Sequence, residues 1–590
     1  MSAQTGTPSF VPPPPSTGTI DRARTRIQKA RKEPNPVWIR ELKQAVRISH
    51  TPFILMTVTG LMALLMCAIG GIGSVAGNPA STGVALFHTF FSLAFFVVCL
   101  VGPAVAANSV ASEREGRTWE AVILTGLSPK VVAWGKFLSA FSSVSMYVVM
   151  LAPVGALPFL FGGVTALEVI VAFAFLFLLA ILSVAFGLAI SSKMASGRTA
   201  IALTLLLAVP LAATGYLAGG LGLSFAAHEL WPAVLAGPPV WLPTAYERAP
   251  FSLEYFTFLV LIPVALVVLP AWFFYEVTVA NLTSWSDDRS TGLKRWFAIM
   301  TPLLTVAAAV PAAGTATSKP SVAFIIALSV VLVFLVFAVC VFVGEPAGPS
   351  RRVLVHWDRC GAGRIRRFFG PGLMTTTALV VVMGLGSLAV IGAVGAAVSS
   401  LSPAVTGSRQ NEILAIAAVA AYASTWFLFL AGFGAWVRAR SSTAGIARLM
   451  LLVAIFFSAA GPWLLAAIAG VIADSPGSSD AWVVAAPSPF YVFLLIDALD
   501  DPHGEFVIAA GALCAVAWAL IGVGLLAAAT AKCKVVIRRH EQILAEAEAV
   551  FAREDAEADG AAPEDATAPA DAPSAEAPET VPSADEGPAA

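Results

Sequence analysis

Long apolar stretches separated by short polar segments dominate the sequence. A helix that crosses the hydrocarbon core of a bilayer needs about 20 apolar residues, and twelve stretches are close to that length or exceed it. Strand-like alternation is absent from them, so helices rather than a barrel must satisfy the backbone in lipid. They predict an all-α polytopic membrane protein with about twelve transmembrane helices. The stretches are, in chain order, 52–73, 83–107, 137–160, 168–190, 200–220, 255–280, 297–313, 321–344, 373–399, 413–436, 449–472 and 506–530.

Composition agrees with a membrane protein. Of the 590 residues, 58% are hydrophobic and 12% are charged, whereas soluble domains contain about 25% charged residues. This contrast excludes an ordinary soluble enzyme and a disordered protein. The 35 basic and 36 acidic residues give a formal net charge of −1. This balance argues against a nucleic-acid partner, because nucleic-acid-binding proteins carry a strongly basic surface.

The distribution of lysine and arginine predicts the orientation of the spans. With the N-terminus inside and twelve crossings, 32 of the 35 basic residues fall on the inner side. Only Arg248, Lys319 and Arg409 fall outside. A missed or extra span would exchange the sides of every later loop and destroy this separation. The positive-inside rule therefore predicts twelve spans with both termini inside.

The two ends of the chain differ from the membrane body. Residues 1–34 pass from a proline-rich start into a basic stretch, which predicts a disordered arm that is attracted to a membrane surface. Residues 541–590 contain fourteen acidic residues and one basic residue, Arg553. This segment cannot bury enough apolar surface to offset its ordering entropy, so it predicts a disordered tail. Its first part, 541–553, is a candidate extension of the last helix.

A short amphipathic helix is predicted at 36–49, before the first span. Asn35 suits the cap of this helix, and Pro36 suits its first position. Apolar residues form one stripe at helical spacing and basic residues fall elsewhere, as in a helix that lies in the membrane interface. The alternative is a basic flank that only fixes the orientation of the first span. The candidate interfacial residues are Trp38, Arg40, Leu42 and Arg47.

The segment 108–136, between the second and third spans, concentrates charge in a chain that has little. After Gly116, apolar residues at helical spacing predict a second helical piece, which Thr118 can cap. The charged side chains can point to water or to a partner, and the alternative is a solvated loop with local ion pairs. The candidate contact residues are Glu113, Arg114, Glu115, Arg117, Thr118, Glu120 and Pro129.

This loop resembles the first cytoplasmic loop of permease subunits of type-2 ATP-binding-cassette (ABC) transporters. Their pattern is E-R-E-x-G-T-x-E, followed by a short apolar run, a Pro/Ser turn and a G-K before the third span. Two departures occur. Gly116-Arg117 precedes Thr118, so the glycine is shifted by one position, and Gly126 stands where a proline is common. The matching residues are, in order, Glu113, Arg114, Glu115, Thr118, Glu120, Ser128, Pro129, Gly135 and Lys136.

The resemblance covers about residues 35–285 and implies a six-helix permease unit. In that family the pre-span helix is an interfacial connecting helix, and the loop contains a coupling helix that docks on the ATPase. A long outer segment, often re-entrant, lies between spans five and six. Residues 221–253 fill that place here, and a plain outside loop is the alternative. The resemblance implies an ABC ATPase subunit as partner and a location in the cell membrane, expected here to be a bacterial inner membrane.

The resemblance also implies what this chain does not do alone. It contains no G-x-x-x-x-G-K-[ST] phosphate loop, so it is not expected to be an enzyme by itself. ATP and Mg²⁺ are expected on the partner subunit, with no cofactor bound by this chain. The six histidines show no metal-ligand spacing. The expected function is a permease subunit that moves its substrate outward.

The second half of the chain, 286–540, shows the same rhythm of loop lengths as the first and predicts a second six-helix unit. One interpretation is a diverged parallel repeat about an axis along the membrane normal. One chain could then complete the pathway, or two copies of it could pair. The loop 345–372 lacks the E-R-E cluster and contains six arginines. A diverged docking loop and a basic membrane-surface anchor both fit this composition.

Two other classes of protein remain as alternatives. An ion-coupled secondary transporter with twelve spans is expected to carry ionisable residues inside its spans, whereas the acidic residues of these spans lie near their ends. A polytopic membrane transferase would require Asp, Glu or His at outer-loop or mid-span positions. Such residues are present in the outer loops without a recognisable arrangement: Asp474, Asp480, Asp501 and His503.

Overall fold

The regular structure of the protein is helical. A computed structural model describes residues 35–47, 50–76, 78–314, 320–401, 408–472, 483–500 and 504–558. Within these ranges there is no β strand, and twelve helices are long and apolar enough to cross a membrane. This is the number that the sequence predicts. The architecture is consistent with an all-α polytopic membrane protein.

The first six spans are joined by short helical pieces. A 12-residue helix, Pro36–Arg47, precedes span 1 and is called the pre-span helix below. A six-residue helix, Trp119–Leu124, lies between spans 2 and 3 and is called the loop helix. Further pieces are Ala152–Gly155, Leu157–Phe161 and Trp241–Arg248. Spans 1 to 6 comprise, in order, His50–Ala76, Pro79–Glu115, Pro129–Met150, Ala166–Ser191, Gly197–Leu230 and Leu253–Leu282.

Short helical pieces also join the last six spans. Two short helices, Arg351–Arg359 and Arg364–Phe369, lie between spans 8 and 9. A 3₁₀ turn, Pro489–Tyr491, and the helix Val492–Asp500 precede span 12. Spans 7 to 12 comprise, in order, Thr291–Gly314, Pro320–Phe342, Leu373–Leu401, Arg409–Arg440, Ala444–Ile472 (broken at Ala460) and Glu505–Ala558.

Span 7 is continuous despite the two prolines that make its sequence pattern the weakest. Pro302 and Pro311 both lie inside the helix Thr291–Gly314. Transmembrane helices tolerate proline, because neighbouring helices and local adjustments satisfy the freed backbone groups. The predicted span at 297–313 is therefore present and extends six residues towards the N-terminus.

The outer segment predicted at 221–253 is folded rather than extended. Spans 5 and 6 each contain a π-helical stretch beside it, Tyr216–Gly222 and Phe256–Leu261. Trp231 and Trp241 are buried in a small hydrophobic cluster with Leu259. Two interfacial aromatic residues thus pack inward and hold the segment against the ends of spans 5 and 6.

Two hydrophobic cores lie along the bundle. One is formed mainly by spans 2 to 4, and the other mainly by spans 7 to 10. Span 6 joins them: the Phe274 ring lies 5.2 Å from the Phe186 ring of span 4, and the Phe273 ring lies 4.7 Å from the Trp296 ring of span 7. The packing also differs between the two groups of spans. Span 5 packs mainly against span 2, whereas span 11 packs mainly against span 10.

The connections that follow spans 2, 4, 6, 8 and 10 lie at one end of the bundle. This end is called the basic side below. Contacts between these connections place them together. Asn281 donates to Ser192 at 3.0 Å, and Ser290 donates to Glu345 at 2.6 Å. The opposite side carries its own contacts, such as Glu412 with the backbone N–H of Ser321 at 3.0 Å. Because each span runs the length of the bundle, successive connections lie alternately at its two ends.

The last helix continues beyond the membrane-length segment. The chain divides between Cys533 and Lys534 into two units, and the described part of the second unit is helical as far as Ala558. The predicted extension of the helix over 541–553 is confirmed. The arm 1–34 and the tail residues 559–590 lie outside the described residues.

Candidate functional site

The pre-span helix begins as its sequence indicates. The side-chain oxygen of Asn35 accepts a hydrogen bond from the backbone N–H of Val37 at 3.0 Å, which satisfies a free donor at the helix start. Pro36 occupies the first helical position, where a missing N–H costs nothing. The helix is described as far as Arg47.

Close packing fixes the pre-span helix along span 3. Gly135 makes this approach possible, because a Cβ there would lie 2.7 Å from both Asn35 Oδ1 and the Cβ of Val37. Asn35 donates to the carbonyl of Val131 at 2.8 Å, and Trp38 donates through Nε1 to Ser142 Oγ at 3.2 Å. The glycine of the G-K pair is therefore a packing requirement of the pre-span helix.

A buried salt-bridge network lies next to this contact. Lys136 is fully buried, and its Nζ lies 2.6 Å from Glu41 Oε1 and 2.9 Å from Glu113 Oε2. The same ammonium donates to the carbonyl of Ser109 at 3.0 Å. Two carboxylates and a carbonyl thus surround one buried cation, which is the arrangement that a buried charge needs. The network joins the pre-span helix, the end of span 2 and the start of span 3.

Arg40 closes the network from the solvent side. Its guanidinium forms a salt bridge with Glu113 and lies 3.8 Å from Glu41, while about half of its own side chain remains exposed. The Glu113 side chain is 12% exposed. Glu113 was expected to point to water or to a partner, but its carboxylate lies between Arg40 and Lys136 and points into the protein.

The two residues after Glu113 hold the loop to the start of span 5 and to the connection that precedes it. Glu115 Oε2 accepts a hydrogen bond from the backbone N–H of Gly197 at 2.8 Å, which places a carboxylate at the N-terminal end of span 5. Arg114 lies over the ring of Trp119 at 5.7 Å and donates to the carbonyl of Met194 at 3.4 Å. The charged cluster thus connects the pre-span helix, span 2, span 3 and span 5.

The turn that follows span 2 contains an unusual backbone conformation. Arg117 has a φ of 55°, in the left-handed region that glycine adopts without strain. Thr118 stands at the N-cap position of the loop helix, but its side chain makes no capping bond there. Its hydroxyl donates instead to the carbonyl of Glu113 at 3.2 Å. The expectation that the Thr118 side chain caps this helix is therefore wrong, because its hydroxyl is hydrogen-bonded to the last turn of span 2 instead.

The loop helix exposes a mixed surface of apolar and charged residues. Ile123 is 59% exposed and Leu124 is 86% exposed, while Val122 is buried against the bundle. Arg117 and Glu120 are exposed beside them. These four residues, Arg117, Glu120, Ile123 and Leu124, are called the loop surface below. Pro129 marks the end of the loop, since it occupies the first position of span 3.

A second buried ionisable cluster lies on the basic side, at the end of span 8. Glu345 accepts from Ser290 Oγ at 2.6 Å, and burial raises the pKa of its carboxyl above the usual range, with Lys294 opposing that effect. Lys294 is fully buried and donates to the carbonyl of Gly370. This cluster fixes both ends of the connection between spans 8 and 9.

On the opposite side a buried carboxylate holds the outer segment. Glu168 is 1% exposed and accepts from Arg248 Nε at 3.2 Å. Glu168 also forms a reciprocal capping box with Thr165 at the start of span 4. The helix Trp241–Arg248 is thereby tied to span 4.

The predicted site residues fall into two groups. Trp38, Arg40 and Glu113 come together around span 3, while Glu120 and Arg117 lie apart on the loop surface. Leu42 is half-buried; the side chain of Arg47 lies outside the described part. Glu41 was missed as a site residue, although an acidic residue within a basic helix is a signal for such a partner. Lys136 belongs to the G-K pair of the resembling pattern, and a lysine at the start of an apolar span is a second signal of a buried ion pair.

The site offers no metal centre in the part of the chain that is described, where no three His, Cys, Asp or Glu side chains are grouped to hold an ion. The arrangement instead suits a mechanical connection between helices, because the charged side chains of the network pair with one another across helix contacts.

No protein-family model matches the chain. A comparison with curated proteins also finds no significant match.

Proposed function

We propose that the protein is the membrane-spanning permease subunit of an ABC transporter. It moves substrate outward with energy from ATP hydrolysed by a separate ATPase subunit, which binds ATP and Mg²⁺. The observation that carries the proposal is the network around Lys136, which ties the pre-span helix to the end of span 2 and the start of span 3. In this proposal the basic side faces the cytoplasm.

The network supports the proposal because force transmission needs a stiff connection. A partner that pushes on the loop helix moves spans 2 and 3 only if the intervening turn does not yield. The salt bridges of Glu113 and the capping contact of Glu115 on span 5 remove that freedom. The pre-span helix, bound through Glu41, moves with them as one body.

The loop surface supplies the contact in this mechanism. Exposed apolar residues surrounded by charge have the composition of a protein interface, in which a buried apolar centre has a polar rim. Ile123 and Leu124 form the apolar centre, and Glu120 lies at the rim. The left-handed turn at Arg117 adds support, because it adopts the conformation that glycine favours at the position where the resembling pattern has glycine.

Reconstitution with the partner tests the proposal. The full chain is co-expressed with candidate ABC ATPase subunits from the same genome, purified, and placed in proteoliposomes. The paired substitution Ile123→Ser and Leu124→Ser should lower the ATP turnover of the complex about tenfold, because the apolar centre of the contact is removed. Phe251→Ser serves as the matched control, since Phe251 is 89% exposed on the opposite side.

The same preparation separates this proposal from a secondary transporter. An ABC permease requires the ATPase and ATP, and dissipating the proton gradient leaves its transport intact. A secondary transporter requires neither subunit nor nucleotide, and its transport collapses with an uncoupler. ATP turnover that is equal in the loop variant and in the unmodified complex would remove the docking assignment.

A further inference from the structure

The connection between spans 8 and 9 carries a strongly basic surface that the proposed function does not use. Its two short helices, Arg351–Arg359 and Arg364–Phe369, contain all six arginines of the loop. Each of these arginines is exposed. Asp358 is the single acidic residue of the two helices. The surface therefore presents a strong excess of positive charge to whatever lies against it.

Ion pairs within the protein neutralise only part of this positive charge. Arg367 pairs with Asp358 at 2.8 Å, and Arg352 pairs with Asp287 at 3.1 Å. Within the described part of the chain, Arg359, Arg364 and Arg366 have no carboxylate within 4.0 Å. These three arginines are called the open arginines below. Arg366 Nη2 lies 3.5 Å from His356 Nε2, and all three side chains remain exposed to an external anion.

The basic surface is held rigidly beside the membrane-length helices. Thr291 Oγ1 donates to the carbonyl of Phe369 at 3.1 Å, and the buried Lys294 donates to that of Gly370. Gly370 packs so closely on the Trp357 ring that a Cβ there would lie 2.1 Å from it. Only three residues separate Phe369 from the start of span 9 at Leu373. Arg364 and Arg366 therefore lie in the short helix that leads directly into span 9.

Exposed apolar side chains alternate with the open arginines. Ile365 is 79% exposed and Phe368 is 38% exposed, although both lie within two residues of an open arginine. Trp285, in the neighbouring connection, is 88% exposed, and its ring lies 4.3 Å from the guanidinium carbon of Arg289. Aromatic and aliphatic side chains beside arginine are typical of the lipid headgroup region, where the apolar parts enter the bilayer and the cations meet phosphate.

We infer that this surface is a binding site for the headgroups of anionic phospholipids. The open arginines contact the lipid phosphates, and Ile365, Phe368 and Trp285 enter the acyl boundary beside them. A second ATPase contact fits less well, because the loop surface between spans 2 and 3 combines both signs of charge around its apolar centre, whereas this surface is almost entirely cationic. The inference is independent of the proposed transport function.

Native mass spectrometry of the delipidated full chain in detergent tests the site by counting bound lipid. Phosphatidylglycerol is the probe, and phosphatidylcholine is the neutral reference. Replacing the open arginines with glutamine (Arg359→Gln, Arg364→Gln, Arg366→Gln) should weaken phosphatidylglycerol binding by about a hundredfold, because three cations that meet the anionic headgroup are lost. Replacing the same three with lysine should weaken it by less than about threefold, because the charge is kept.

A matched triple variant controls for a general loss of charge. Lys534→Gln, Arg538→Gln and Arg539→Gln remove three exposed cations from the last helix, and binding should stay within about threefold of the unmodified chain. Unchanged unfolding temperatures in detergent establish that the variants fold. Equal binding of the two lipids, or equal loss in the two glutamine variants, would overturn the site. Full competition by inorganic phosphate at matched concentration would assign it to a free anion instead. Loss of ATPase co-assembly with unchanged lipid binding would assign it to the partner.

Discussion

Lys136 and Glu41 form a salt bridge of 2.6 Å between a span and a helix that precedes the first span, although 95 residues separate them in the sequence. The ammonium is fully buried and Glu41 is 16% exposed. The pre-span helix is therefore not a loose basic flank: a buried charge on span 3 requires its presence. A buried ammonium without its carboxylates would bear a large desolvation cost.

Removing the cation should destabilise the protein. Lys136→Met leaves Glu41 and Glu113 facing each other without their shared partner, and breaking a buried pair in this way costs about 3–5 kcal/mol. The unfolding temperature in detergent should fall, and amide exchange in Pro36–Arg47 should accelerate. Lys130→Met, on the exposed face of the same span, is the control. The double variant Lys136→Met, Glu41→Gln should recover part of the loss; no recovery would show that the pair is not coupled.

Arg117 provides a test of the turn geometry. Arg117→Gly relieves the strain of the left-handed conformation but increases the conformational entropy of the unfolded chain. The two effects oppose each other, so the free energy of unfolding should change by less than about 1 kcal/mol. Arg117→Val places a β-branched residue at the same φ of 55° and should destabilise the protein by about 1–2 kcal/mol. Thermal unfolding of both variants checks this order. Equal loss in the two variants would show that the side chain, and not the backbone, sets the effect.

Charge reversal at two glutamates of the loop should have different consequences. Glu120→Lys changes the exposed loop surface and should reduce the ATP turnover of the reconstituted complex while leaving the unfolding temperature unchanged. Glu113→Lys places a third cation beside Arg40 and Lys136 and should lower the unfolding temperature itself. Glu229→Lys, an exposed reversal on the opposite side, is the control. A fall in stability for Glu120→Lys would contradict its place on the surface.

The sequence was sufficient for the helical architecture but not for the direction of individual side chains. Apolar length alone predicts all twelve spans, including span 7 with Pro302 and Pro311, because the bilayer imposes that length. Helical spacing could not show that Glu113 points inward. That direction depends on Lys136, which lies 23 positions further along the chain, and on Arg40 in another helix. Contacts across helices are set by tertiary packing, which a local pattern does not contain.

The outer segment should be released by removing its salt bridge. Arg248→Gln leaves the buried Glu168 with only its capping contacts, and the loss of a hydrogen bond to a charged group costs about 1.5–3 kcal/mol. Amide exchange over Trp241–Arg248 should accelerate at least severalfold, while exchange in the pre-span helix should not change. Arg409→Gln changes a cation on the same side and serves as the comparison. Equal exchange of the outer segment in both variants would exclude the tie between Trp241–Arg248 and span 4.

Glu345 should give the protein a measurable pH dependence. Burial raises the pKa of this carboxyl in the folded state, so between the ordinary and the raised pKa the folded protein binds more protons than the unfolded chain. Its contribution to stability is therefore present at low pH and is lost as pH rises through that interval. Lys294, Asp288, Arg289 and Arg438 are the charged groups that act on it electrostatically.

The variant Glu345→Gln isolates this contribution. Glutamine keeps the shape and the acceptor for Ser290 Oγ but does not titrate, so the unfolding temperature of the variant should depend less steeply on pH than that of the unmodified chain. Thermal unfolding in detergent at a series of pH values above the ordinary carboxyl range measures the difference. Glu254→Gln, which removes an exposed carboxyl, is the control. A steeper profile for Glu345→Gln would mean that pairing with Lys294, rather than burial, controls the charge of Glu345.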